Sequence, residues 1–333
     1  MEQTPVIVGP TAGGKTGLAI ALARALIARG QPAEIVTADA FQVYRGMDIG
    51  TAKPTIEERS GIVHHLIDLV GPRERFTASE WLGRAKAVIA ECRRRQVVPI
   101  VVGGTHLYVK LLLDGMFEGP GADEALREEL RAMEPAALRA ELERVDPVAA
   151  SRLHPNDIRR TIRAIEVFRL TGRTISEHQT QWDATEPGQD VAEGASAGGN
   201  PGSRAAEFRL IGLDWPTALI NRRINARVRL MMERGLLEEV RRLRGEGAFE
   251  AEVGQMNQAR EAVGYKQLLA HLEGRCTLDE AVERIKIDTR RLGKAQRTWL
   301  RRLRTTPSSV WIDAAEVPEA EWVGKALGEG TRH

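Results

Sequence analysis

Over the first third of the chain, short apolar runs alternate with longer amphipathic stretches. Val6-Ile7-Val8, Glu34-Ile35-Val36 and the run from Val97 to Val102 are apolar on nearly every position, whereas Gly17 to Arg29 and Ser79 to Arg95 repeat with a helical period. Strands without a polar face bury both sides, and the intervening helices supply the cover. The pattern therefore predicts a parallel sheet with helices on both faces.

After residue 118 the signal changes. Leu126, Leu130, Met133, Leu138, Leu142 and Val145 recur three to five apart within a charged stretch, and a second helical period runs from Asn156 to about Leu170, stopped by Thr171-Gly172. Residues 184–206 are rich in Gly, Ala and Ser with no period, which predicts a mobile loop. Strand character returns from Phe208 to Leu213, and helical periods dominate from Thr217 to Arg304. The predicted organisation is a core from 1–117 and 208–312, a helical insertion at 118–207, and a loosely attached tail at 313–333. There is no internal repeat.

Composition narrows the class. With 333 residues, 42% hydrophobic, 28% charged and a net charge of +2, the chain is globular rather than disordered. No apolar run is long enough to span a bilayer, so no membrane partner is expected. Strand pattern begins at Pro5, so no leader peptide is expected. Two cysteines, Cys92 and Cys276, exclude a disulfide framework and a multi-cysteine zinc site, which predicts a reduced, cytoplasmic setting. His64-His65, His106 and His154 lack spaced partners for a metal and are expected in surface or packing roles. Trp81, Trp182, Trp215 and Trp299 are expected in the core.

Gly9-Pro10-Thr11-Ala12-Gly13-Gly14-Lys15-Thr16 fits G-x-x-x-x-G-K-[ST] between a strand and a helix. In that setting successive backbone N–H groups face one hollow and the helix N-terminus adds positive potential, so Thr11 to Thr16 are expected to cradle a polyphosphate. Lys15 would reach the outer phosphate and the Thr16 hydroxyl would ligate Mg2+. The fold class is accordingly α/β, with a P-loop NTPase-like parallel sheet and a helical insertion. An ATPase would next show a strand ending in an acid that holds the metal, but Val97 to Val102 ends in Gly103-Gly104-Thr105. The other candidate acid is Asp39, at the carboxyl end of Val36-Thr37-Ala38. Metal ligand, general base and exposed loop carboxylate all remain open for it at this point.

The stretch Asp39-Ala40-Phe41-Gln42-Val43-Tyr44-Arg45-Gly46-Met47-Asp48-Ile49-Gly50-Thr51-Ala52-Lys53-Pro54, taken with the phosphate loop, closely resembles the tRNA dimethylallyltransferase family, also called tRNA isopentenyltransferases. Matching stretches continue at Gly103 to Tyr108, Arg163 to Val167, Ala262 to Gln267 and Thr289 to Arg301, in the family's order. The resemblance implies transfer of a dimethylallyl group from dimethylallyl diphosphate to the exocyclic N6 of the adenosine 3′ of the anticodon, in tRNAs reading codons that begin with U. It makes Asp39 the general base, Lys15 and the loop the holders of the diphosphate, and Thr105 a contact that positions the target nucleotide. Arg223 and Arg227 fall in an arginine pattern that serves the diphosphate. Arg127, the segment Asp39, Ala40, Phe41 and Gln42, the segment Arg159, Arg160, Thr161, Ile162 and Arg163, and the segment Glu261, Ala262, Val263, Gly264, Tyr265 and Lys266 align with tRNA-contacting regions. The partners implied are a tRNA anticodon stem-loop and the prenyl diphosphate; a monomer is expected. The chain departs from the family at Ala40-Phe41, where Ser-Arg is usual, at Gly13, where Ser is common, and at His106, where Gly is frequent.

Residues 281–304 carry nine Lys or Arg against Glu283 and Asp288. A helical reading puts Ala281, Ile285, Leu292, Ala295, Trp299 and Leu303 on one stripe, and Arg290, Lys294, Arg297, Arg301 and Arg304 opposite. A charged helix face by itself is usually just solvated; with the family resemblance, salt-dependent contact with RNA phosphates is the expected role. Two other readings compete. A P-loop kinase for a small metabolite explains residues 1–50 and nothing beyond them. An RNA-binding protein with a dead phosphate site conflicts with the intact Lys15, Thr16 and Asp39.

Overall fold

The computed structural model describes residues 3–115, 119–178, 207–250, 257–306 and 309–329; Trp182 and the 184–206 loop lie outside them. Its strands are β1 (Thr4–Val8), β2 (Ala33–Thr37), β3 (His64–His65), β4 (Val98–Val102), β5 (Phe208–Asp214) and β6 (Val310–Asp313). They form one sheet in the order β3-β2-β4-β1-β5-β6, parallel at every pairing. Crossovers include helices α1 (Lys15–Ala28), α2 (Ile56–Arg59) and α3 (Ala78–Arg94). Ile7, Ile35, Ile100 and Ile211 share a cluster with Leu18, Leu22 and Leu26 of α1. The alternate positions Val6, Val8, Val36 and Val101 are equally buried, so both faces of the sheet are covered, as the apolar runs predict.

Local signals set the helix starts. Thr77 and Glu80 form a capping box at α3, one turn before Trp81, which donates its indole N–H to the Thr37 carbonyl at 2.9 Å and stacks on Tyr108 at 4.5 Å. That anchor holds α3 against the end of β2, beside Asp39. Tyr108 lies on α4 (His106–Asp114).

The chain divides into two compact units, Met1–Leu113 with Gly202–His333, and Asp114–Pro201. The periodicity puts the insertion at 118–207; the observed unit begins and ends a few residues earlier. Its helices are α5 (Glu124–Ala132), α6 (Pro135–Val145), α7 (Pro147–Arg152), α8 (Ile158–Thr171) and α9 (Ile175–His178). Leu130, Leu138, Leu142, Val145, Ile162 and Ile165 form its core. The charged stretch 123–145 is two helices rather than one, because Pro135 starts a new helix and holds Glu134 extended.

Past β5 come α10 (Thr217–Glu233), α11 (Leu236–Gly245), α12 (Tyr265–Leu272), α13 (Leu278–Leu300) and α14 (Trp322–Leu327). The last of these corrects the expectation of a loose tail. Trp322 is 2% exposed, joins the core cluster of α1 and meets Trp215 edge-on at 6.2 Å. Trp322 and Ala326, with the partly buried Val323 and Leu327, dock this helix on the core, and its six residues are too few to give a clear period. Among the described residues no helix is long and apolar enough to cross a membrane.

Candidate active site

The phosphate loop connects β1 to α1. Gly14, at the N-cap of α1, has φ +92, and a β-carbon there would lie 2.9 Å from the Trp322 ring. Glycine is therefore required both by the left-handed backbone and by the close approach. Loop shape is held from outside by three side chains. Trp215 donates its indole N–H to the Gly13 carbonyl at 3.0 Å, and Arg223 of α10 donates Nε–H to the Ala12 carbonyl at 2.9 Å while its guanidinium lies 4.6 Å over the Trp215 ring. Gln296 of α13 accepts the Thr11 N–H at 2.8 Å and donates to the Gly104 carbonyl at 2.9 Å.

That second bond reaches the Gly103-Gly104-Thr105 turn after β4. Gly103 passes so close to β2 that a β-carbon would run into the Ala38 carbonyl. The crossing lets Thr105 accept the Ala40 N–H on its hydroxyl at 3.0 Å. Asp39 Oδ1 in turn accepts N–H groups from Phe41 at 2.9 Å and Gln42 at 3.3 Å. Main chain thus fixes the carboxylate, and the Ala40-Phe41 departure removes none of these bonds. The Gln42 amide donates to the Thr51 and Ala52 carbonyls, so it braces the following loop.

Lys15 is half-buried, and its ammonium donates to the Pro10 carbonyl at 2.8 Å. Burial, then the Arg227 guanidinium, push its pKa down to about 8, against the opposing pull of Asp39. Arg227 is likewise lowered by burial; Asp39 counters this and Arg223 adds to it. Lys15, Arg223, Arg227 and Asp39 therefore share one electrostatic neighbourhood with an excess of positive charge, suited to an anion carrying more than one negative charge. Thr16 stands in the first turn of α1. Its hydroxyl is a hard oxygen donor, a ligand type that together with phosphate oxygens and water suits Mg2+. Among the described residues one His/Cys/carboxylate group has metal-binding geometry, Glu34, His65 and Cys92. The Arg95 guanidinium already grips Glu34 through two 2.8 Å bonds, and Glu34 sits at the opposite end of β2 from Asp39. His65 thus has partners, from strands and helix distant in sequence, that spacing did not reveal.

A scan with family models matches IPP transferase at residues 42–303 and isopentenyl transferase at residues 2–70. A tRNA dimethylallyltransferase of Anaeromyxobacter dehalogenans (strain 2CP-C) is 44% identical over 319 residues, covering 95% of this chain and 96% of its own. The chain belongs to the tRNA dimethylallyltransferase (IPP transferase) family. Another family member, from Shouchella clausii (strain KSM-K16), is 42% identical over 96% of this chain and 94% of its own. Among solved family structures, the full-length tRNA isopentenylpyrophosphate transferase from Bacillus halodurans matches with TM-score 0.65 and 35% identity over 98% of both chains. A eukaryotic dimethylallyltransferase acting on tRNA matches with TM-score 0.75 and 25% identity over 96% of this chain and 76% of the other. The matches extend far past residue 50, which leaves the kinase reading without support.

Several residues aligned with the family's tRNA contacts have other work here. The side chains of Thr161, Ile162, Ala262 and Tyr265 are buried. Gly264 is an N-cap at φ 103, and the Tyr265 hydroxyl donates to Glu239 Oε1 at 2.5 Å. Glu239 also accepts the N–H groups of Asp48, Ile49 and Gly50, so this pair shapes the loop after Asp39. Arg159, Arg160, Glu261 and Lys266 are exposed, with Lys266 paired to Glu261 at 2.6 Å; Val263 is half-buried.

Helix α13 is rotated from its hydropathy stripe. Ala281, Ile285, Gly293, Gln296 and Leu300 are its buried residues, whereas Leu292 is 41% exposed, Ala295 is exposed, and Trp299 is half-buried, with His106 at 5.7 Å. The face against the phosphate loop needs a glycine and an amide, which an apolar pattern does not detect. The rotation also brings Arg290 to Asn225 at 2.7 Å and Arg297 to Thr217 at 2.7 Å, both on α10, while Arg304 pairs with Asp214. Lys294 and Arg301 remain exposed.

Proposed function

We propose that this protein transfers a dimethylallyl group from dimethylallyl diphosphate to N6 of the adenosine 3′ of the anticodon in tRNAs reading codons that begin with U. The observation that carries the reading is that Asp39, Lys15 and Arg227 lie close enough to act on one another's charge, beside the Gly9–Thr16 loop of a chain whose relatives are named tRNA dimethylallyltransferase. The adenine amino group is a weak nucleophile because its lone pair is delocalised into the ring. Asp39 takes its proton as the new C–N bond forms and the C–O bond to diphosphate breaks; such assistance is typically worth ~10²–10⁴-fold. Lys15, Arg223, Arg227 and the loop N–H groups of Ala12, Gly14, Lys15 and Thr16 hold the departing diphosphate, while the Thr11 and Gly13 N–H groups keep the loop in shape through Gln296 and the Pro10 carbonyl. Thr16 would hold Mg2+, which when bound supplies further positive charge against the leaving group.

Thr105 acts by holding the turn at Ala40, so that the Asp39 carboxylate and the nucleotide share a fixed frame. The adenosine has to leave its stack to reach Asp39. Arg127, Arg159, Arg160 and Arg163 of the insertion, with Lys266, Lys294 and Arg301, supply cations for the RNA backbone. The tRNA substrate supports action in the cytoplasm. The test is incubation with unmodified tRNA, radiolabelled dimethylallyl diphosphate and Mg2+. Labelled RNA is the expected result. ATP-dependent phosphorylation of a small molecule, or tight RNA binding without transfer, would overturn the reading.

A further inference from the structure

Glu166, on α8, is a carboxylate whose side chain has 0% exposure, and the chemistry above makes no use of it. A buried charge persists only when fully partnered. Oε1 accepts the Asp123 N–H at 2.8 Å and lies 2.8 Å from Arg127 Nε in an ion pair. Oε2 accepts Arg127 Nη2–H at 3.0 Å and Arg163 Nη1–H at 2.6 Å. Burial alone would raise its pKa, but the bonds from Arg127, Arg163 and the Asp123 backbone hold it below the ordinary carboxylate range. The second Arg163 nitrogen, Nη2, donates to the Pro120 carbonyl at 2.9 Å.

Two guanidiniums therefore share one carboxylate. Glu124, 3.9 Å from Arg127, is itself engaged at 2.7 Å by Arg131, so the knot keeps an excess positive charge. Arg127 and Arg163 remain 20% and 28% exposed. A free arginine gives up rotamer entropy when it binds a phosphate; one already clamped does not.

We propose that Glu166 is a positioning residue for RNA, holding Arg127 and Arg163 as a preset pair of guanidiniums whose outer edges take phosphate oxygens of the anticodon stem-loop. This rests on the tRNA reading above. A carboxylate that merely pinned the start of α5 to α8 would serve stability alone, and the two roles separate in kinetics.

The experiment is steady-state transfer by the full-length protein with anticodon stem-loop RNA and the prenyl diphosphate, for wild type, Glu166→Gln and Arg127→Lys. Glu166→Gln places an amide N–H₂ against arginine donors and breaks the clamp; Arg127→Lys keeps the charge and loses the planar fork. Both are expected to raise the KM for RNA about tenfold or more, with kcat and the donor KM within about twofold; Glu166→Gln, which lets both guanidiniums swing away, is also expected to flatten the salt dependence of RNA binding by roughly one phosphate contact or more. An unchanged RNA KM and salt slope in a folded variant overturns the proposal, as does a joint loss of kcat, donor KM and melting temperature. Should Glu166→Gln not fold, Arg127→Lys decides alone. Failure of the wild type to label RNA refutes the transferase reading instead.

Discussion

The depressed Lys15 predicts an alkaline limit on donor binding, and its neighbours predict which way that limit moves. With a pKa pushed down to about 8 by burial and by Arg227, the protonated fraction falls from about nine-tenths at pH 7 to about one-tenth at pH 9. The affinity for dimethylallyl diphosphate, whose last proton comes off near the lower edge of this window and so opposes the trend only there, should drop about tenfold between those values if only the ammonium form binds. The sign follows from the linkage: the diphosphate favours protonated Lys15, so binding is strongest below the free pKa and is lost as pH rises through it. An ordinary lysine at 10.5 would leave affinity flat over the same range. Arg227→Gln removes a neighbour that lowers the Lys15 pKa, and so moves the midpoint up. Asp39→Asn removes the one that raises it, and so moves the midpoint down. Calorimetric titration of the donor alone, from pH 6.5 to 9.5, reads the midpoint independently of turnover and of the overall affinity lost with Arg227. Flat wild-type affinity to pH 9.5, or a shift of both variants in the same direction, would refute the electrostatic account of the pocket.

Three further outcomes are expected. Asp39→Ala should lower the single-turnover rate ~10²–10⁴-fold while tRNA affinity changes less than about twofold, and a normal rate removes Asp39 from its role. Thr16→Ala should raise the Mg2+ concentration needed for half-maximal transfer, and an unchanged Mg2+ dependence counts against the metal assignment. Trp322→Ala should cost about 3–5 kcal/mol in urea unfolding and weaken donor binding, because the ring packs against Gly14; full stability would mean that the C-terminal helix does not hold the loop.

Local sequence determined much of this protein. Apolar runs at Val6–Val8 and Val97–Val102 specified buried parallel strands, because a strand covered on both faces cannot carry a polar alternation. The glycines of the phosphate loop and the lysine after them announced an anion site, because backbone geometry at such a turn is a property of a few adjacent residues. The family motifs carried the identity of the chemistry along with Asp39. Tertiary structure alone decided which way α13 faces, since its contact with the phosphate loop is made by Gly293 and Gln296 rather than by Leu292 or Ala295. It also decided that Trp322 docks, that Tyr265 and Glu239 brace the loop after Asp39, and that Arg127 and Arg163 meet on Glu166. Each of these is a hydrogen bond, an ion pair or a ring contact between residues far apart in the chain. Hydropathy has a period along the backbone, whereas a buried amide or carboxylate is stabilised by partners that only the completed fold brings within reach.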